Sequence, residues 1–221
     1  MDAQALREEL REHGCALAGR LGFARDTGAS MADALRLQYD QWPRRYHDAR
    51  HLLACVRAAE SVRALAPAAD AVSYALWFHD AVYRPWRSDN EARSAAQSRE
   101  SAQRMGLGEA FARQVEALVL ATAHLSGDAA AAVAQADEAA AWVLDIDLGI
   151  LGAPADAYDR YEEDVRREYF FVTPRAWRKG RASVLGHFLG QPRIYRTEHF
   201  AARLEARARA NLERALAALK D

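Results

Sequence analysis

The residues of this chain best suited to chemistry are its histidines and two short acidic clusters, and their placement is selective. His47 and His51 stand four apart in RRYHDARHLL, so on a helix they share a face. His79-Asp80 closes the apolar run Val72-Ser-Tyr-Ala-Leu-Trp-Phe, and Asp145 and Asp147 lie inside AWVLDIDLGILG. An ionised carboxylate in such apolar surroundings is costly unless it is paired or bound to a metal. On a helix, Asp147 shares its side with Val143, Leu144, Ile150 and Leu151, and Asp145 shares its own with Ala141, Trp142, Leu148 and Gly149. Two positions of helix turn by about 200°, so the two carboxylates cannot point at one centre. Asp147, on the more apolar side, is the expected buried ligand, and Asp145 the expected hydrogen-bond acceptor or salt-bridge partner. Imidazole and carboxylate together suit Mn, Fe, Co, Ni or Zn. A lone histidine is more often a packed or hydrogen-bonded residue than a ligand. The conjunction of His51, His79-Asp80 and a distant buried aspartate shifts that balance.

The elements that must position these groups read as helices. Apolar residues recur at Ala49, Leu52, Leu53, Val56, Ala59 and Val62, the three-four rhythm of one helical face. The rhythm returns at Phe111, Val115, Leu118, Val119 and Thr122, and again at Phe200, Leu204, Ala208, Leu212, Ala215 and Leu219. Alanine, the best helix former, is abundant, and no stretch alternates as a strand would. All six prolines fall between periodic segments, where a ring without an N–H does least harm. Gly152 followed by Pro154 marks one helix stopping and another starting, and Thr173-Pro174 reads as an N-cap followed by proline at the first helical position. Ser126 to Ala136, SGDAAAAVAQA, has little to bury and reads as a loop or surface segment. The expected fold is all-α, a single helical domain over 1–221.

Composition narrows the class. The 51% apolar and 28% charged content fits a globular chain, and 30 Lys and Arg against 31 Asp and Glu give no global pull toward nucleic acid or acidic lipid. No run approaches the ~18 apolar residues of a membrane span, and MDAQALREELREHG is too charged for a signal peptide. Cys15 and Cys55, in no Cys-x-x-Cys pair, argue against a disulfide framework and fit a reducing, cytoplasmic setting. No Walker-type or Gly-x-Gly-x-x-Gly segment is present.

The order His51, His79-Asp80, Asp147 resembles the H…HD…D signature of the HD-domain metal-dependent phosphohydrolase superfamily. The flanking text resembles one uncharacterised branch of it: YHDARHLL at the first histidine, ALWFHDAVY at the His-Asp pair, then SDNEARSA, LDIDLGILG and the tail from FLGQPRIYRTEHF. The resemblance spans roughly residues 38–218. It implies a helical bundle of HD-domain type in which His51, His79, Asp80 and Asp147 bind a divalent ion such as Mn, Co, Ni, Mg, Zn or Fe. Asp145 remains the alternative last ligand. Glu91 stands where members often carry an acidic residue near the reaction centre, and Asp80 or Glu91 would handle a proton. His124 stands near where some members supply a further histidine to a second metal, and His47 is a candidate to support the ligands from outside.

Two groups of cations fall at expected helix boundaries: Arg84 and Arg87 after the His-Asp pair, and Arg175, Arg178, Lys179 and Arg181 after Pro174. Of these Arg84, Arg87, Lys179 and Arg181 are the candidate phosphate-binding residues, since guanidinium suits bidentate phosphate recognition. Tyr83, Trp86 and Trp177 could stack on a base, although packing is the commoner fate of such rings. The implied reaction is metal-dependent hydrolysis of a small phosphate ester such as a nucleotide. The implied partners are that phosphorylated molecule and a second copy of the chain, with no membrane and no sequence-specific nucleic acid. Two other functions fit the same residues: a two-iron oxygenase, which needs more than four ligands, and a non-catalytic module that senses a nucleotide.

Overall fold

A computed structural model describes residues 2–123 and 137–219. The expected loop at Ser126–Ala136 and His124 lie outside the described residues. Among those described there are ten α-helices, one short 3-10 segment and no strand. The all-α expectation holds.

The chain divides into two compact units, Met1–Val143 and Leu144–Asp221. The first contains α1 (Ala3–Arg20), α2 (Arg25–Tyr39), α3 (Ala49–Ser61), α4 (Ala69–Phe78), α5 (Asn90–Arg104) and α6 (Glu109–Leu120), and the boundary falls inside α7 (Glu138–Asp147). Helix α4 is its centre. Every residue from Ala71 to Phe78 is buried, with neighbours on all sides, which is why its sequence is apolar all round rather than on one stripe. Helix α3 packs against α4 with the face read from the sequence: Ala49, Leu52, Leu53, Val56 and Ala59 are all buried. Helix α6 does the same with Val115, Leu118 and Val119. Helices α1 and α2 approach so closely that a Cβ on Gly28 would run into the Gly14 carbonyl, so the contact requires glycine.

The second unit begins with the end of α7 and a 3-10 turn (Leu148–Gly152), followed by α8 (Ala155–Glu168), α9 (Pro174–Gly190) and α10 (Glu198–Ala218). Its punctuation matches the sequence. The 3-10 turn stops at Gly152 and Pro154 precedes α8, while Thr173 caps α9 by accepting from the Ala176 amide, with Pro174 at the first helical position. Helix α10 packs on the 3-10 turn with Ala208 and Leu212 buried, and Asn211 donates to the Leu151 and Ala153 carbonyls at 2.9 Å each. No helix among the described residues is long and apolar enough to cross a membrane.

Candidate metal centre

The centre is built on α3 and on the turn that follows α4. Asp48 caps α3, its carboxylate accepting from the Arg50 amide at 2.8 Å and the His51 amide at 3.4 Å. His51 therefore sits in the first turn, 5% exposed. His47 lies before the cap, so it is not on the helix with His51, contrary to the four-residue spacing argument. The reason is local: Asp48 satisfies the free amides, so the helix starts after it and not through it. His47 stacks on Tyr83 instead, ring centroids 4.3 Å apart, with its edge toward His51 at 5.9 Å.

His79 follows the last residue of α4 and is 1% exposed. Its Nδ1 lies 2.8 Å from the Leu76 carbonyl, which can only accept, so Nδ1 donates there and Nε2 is the ring nitrogen left to face the site. That nitrogen lies 3.0 Å from His51 Nε2. Asp80 Oδ2 lies 3.4 Å from His79 Nε2 and 3.7 Å from His51 Nε2. The sequence-read trio of His51, His79 and Asp80 is thus brought together. Two imidazole nitrogens and a carboxylate oxygen facing one another need a proton or a cation among them.

The residues present fit a metal. Two nitrogens each ~2.0–2.1 Å from one ion stand about 2.9 Å apart at a right angle and about 3.3–3.4 Å apart in a tetrahedron, a range that contains the observed 3.0 Å. The Leu76 carbonyl behind His79 is the kind of outer partner that orients a ligating imidazole. A fourth group stands beside the trio: Cys55 Sγ is 3.7 Å from His51 Nε2, and His51, Cys55 and His79 each offer a ligand atom within 4.8 Å of the others. Sequence reasoning passed over Cys55, although His51 and Cys55 are four apart on one helical face. That spacing was the available signal.

The turn carrying His79-Asp80 is clamped by side chains the sequence analysis did not single out. Arg44, 7% exposed, donates to the carbonyls of His47 at 2.9 Å, Asp80 at 2.7 Å and Ala81 at 2.8 Å. Its guanidinium lies over the Tyr39 and Tyr83 rings, 4.9 and 5.5 Å from their centroids. The Asp80 amide donates to the Tyr39 hydroxyl at 3.1 Å. Burial, and secondarily the Asp80 charge, push the Tyr39 phenol well above its ordinary pKa, so it stays a neutral partner. On the far side of the turn Asn90 and Ser94 bond both backbone groups of Arg84 and of Val82. No family model, curated protein or solved structure matches this chain.

The remaining sequence candidates are placed as follows. Glu91 is partly buried in the first turn of α5, next to the clamping Asn90. Arg84 is partly buried and bonds Gln41 Oε1 at 2.6 Å, while Arg87 is held by both carboxylate oxygens of Asp89. In the second unit Lys179 is exposed. Arg181 is buried, forked onto Glu162 at 2.6 and 2.9 Å and bonded to the Tyr161 hydroxyl at 2.9 Å.

The two aspartates reverse the burial expectation. Asp145 is 0% exposed and Asp147, the last residue of α7, is partly exposed. Asp145 accepts from the Arg196 amide at 2.8 Å, the Thr197 amide at 2.7 Å and the Thr197 hydroxyl at 2.6 Å, which fixes the start of α10. Burial still raises its carboxyl above the ordinary range, against the pull of those three donors. The expectation of a hydrogen-bond acceptor at Asp145 holds, but the apolar neighbours in sequence misjudged which carboxylate is buried. The charge of Asp147 bears instead on a ring of the second unit. It adds to the upward push on the Tyr161 phenol, which burial chiefly causes and Arg181 opposes.

Proposed function

We propose that His51, His79 and Asp80 hold a divalent metal ion in a helical domain of HD type that hydrolyses a small phosphate ester. The observation that carries the reading is the buried 3.0 Å approach of two imidazole Nε2 atoms with a carboxylate oxygen beside both. Asp147 enters only as the last aspartate of the H…HD…D order in the sequence. The ion would supply Lewis-acid charge on the phosphoryl group and an activated water at neutral pH. The chain's own residues do the rest. His79 is held in one tautomer by Leu76, Asp80 is held at its backbone by Tyr39 and Arg44, and its carboxylate can take a proton beside the ion.

The exposed tryptophans Trp42, in the segment before α3, and Trp86, further along the segment that carries this turn, have ring centroids 6.2 Å apart. They support a substrate with a flat apolar part, such as a nucleotide. A cytosolic setting fits the two free thiols. The test is turnover of a panel of nucleotide and generic phosphate esters by the metal-loaded chain. His79→Ala and Asp80→Ala are each expected to lower turnover by at least a hundredfold with helical content unchanged. Activity that survives both changes would place catalysis elsewhere, and oxygen uptake by an iron-loaded sample without ester hydrolysis would replace the reading with an oxygenase.

A further inference from the structure

We propose that Cys55 supplies a sulfur ligand to the ion held by His51 and His79, so that the site takes a thiophilic divalent cation, zinc foremost, in preference to magnesium or manganese. The inference rests on the metal reading above and adds to it a ligand that the H…HD…D order does not contain.

Cys55 lies one turn beyond His51 on the buried face of α3 and is 2% exposed. Its Sγ is 3.7 Å from His51 Nε2 and 3.8 Å from His51 Nδ1, and is within 4.8 Å of a ligand atom of His79. A tetrahedral ion with Zn–N of ~2.0–2.1 Å and Zn–S of ~2.3 Å sets nitrogen and sulfur about 3.6 Å apart. The observed 3.7 Å matches that separation. The other cysteine shows what a structural thiol looks like in this fold: Cys15 is buried and its Sγ contacts the Arg25 carbonyl at 3.2 Å. Cys55 instead faces two imidazoles. Sulfur beside imidazole selects zinc, cobalt or iron, whereas magnesium and manganese prefer oxygen donors. As the metal–sulfur bond forms, the S–H bond breaks and its proton passes to solvent. No electron changes hands.

Cobalt(II) reads this ligand directly, because a thiolate bound to cobalt gives an intense near-ultraviolet charge-transfer band that nitrogen and oxygen ligands lack. The full chain is stripped with a chelator and titrated with cobalt(II) alone. The expected result is that near-ultraviolet band together with visible cobalt absorption, displaced by zinc and not by equal magnesium or manganese. Cys55→Ser is expected to abolish the near-ultraviolet band, keep visible absorption, and weaken zinc binding by more than the roughly 10–100-fold that loss of an outer supporting group costs. Cys15→Ser is expected to change neither. If Cys55→Ser fails to fold, the band in the parent chain and its persistence in Cys15→Ser decide the matter, since the chain has only two cysteines. Cobalt bound without the band overturns the sulfur ligand and leaves the metal reading standing. A band that survives Cys55→Ser also overturns it, and no bound cobalt by elemental analysis overturns both.

Discussion

At the scale of single residues, the difference between Asp145 and Asp147 shows what a carboxylate is for. Asp145 has three donors on its two oxygens and no exposure. Asp145→Asn would turn an NH2 group toward one of those donors, leaving a buried amide or hydroxyl unsatisfied at about 1–3 kcal/mol. Chemical denaturation should therefore show a lowered midpoint for Asp145→Asn, with metal content per folded chain unchanged. Asp147→Asn, at the last position of the H…HD…D order, should instead lower bound metal after equal dialysis. The opposite ranking would mean that Asp145 ligates and the α10 amides merely accompany it. His51, His79 and Asp80 were legible because imidazoles and carboxylates in apolar text are costly enough to require a partner. Cys55 was not, because a thiol among alanines and leucines reads as one more small hydrophobe. The apolar-side argument for Asp147 failed on a physical point: helical neighbours in sequence say nothing of the amides at the start of α10, 51 and 52 positions away, that bury and satisfy Asp145.

At the scale of elements, the site depends on a turn and not on a helix face. The backbone from His79 to Arg84 leaves α4 and cannot satisfy itself, so Tyr39, Arg44, Asn90 and Ser94 supply the partners. Arg44 carries the largest share, since one guanidinium ties the loop before α3 to the turn after α4 through three carbonyls. Arg44→Met fills a similar space and removes every donor. It should cost about 2–4 kcal/mol, from two or three buried carbonyls losing a charged partner. Metal affinity should fall with it, measured on samples shown to be folded at low temperature. Arg44→Lys should recover only part of either, because an ammonium cannot match the planar fork. If Arg44→Met loses stability and binds metal as tightly as the parent chain, the residue supports the fold alone and does not position Asp80. Helices and their buried faces were readable here, since periodicity and proline placement are local. The clamp was not, because an arginine followed three residues later by a histidine carries no pattern that distinguishes it from a solvated one.

For the whole chain, sequence showed an all-helical molecule but not the division at Val143 and Leu144. Domain limits usually announce themselves as polar or Pro/Gly-rich linkers. This one runs through the apolar interior of α7, where Ala140, Val143, Leu144 and Asp145 are all buried, so composition does not change across it. The centre on α3 and the α4 turn gives a whole-molecule test. Any ion that binds the folded chain and not the unfolded one stabilises it by RT ln(1 + [L]/Kd), about 2.7 kcal/mol at a hundredfold excess over Kd. For a chain of this length each kcal/mol moves Tm by roughly 2–4 °C, so saturating zinc should raise Tm by about 5–11 °C over the chelated protein. His79→Ala removes a ligand whose Nε2 faces His51 at 3.0 Å, and should abolish that shift while leaving the chelated Tm open to change for packing reasons. The difference between loaded and stripped samples of each variant, not the absolute Tm, is therefore the quantity to compare. A zinc shift of equal size in the parent chain and in His79→Ala would place the ion somewhere other than between α3 and the turn after α4.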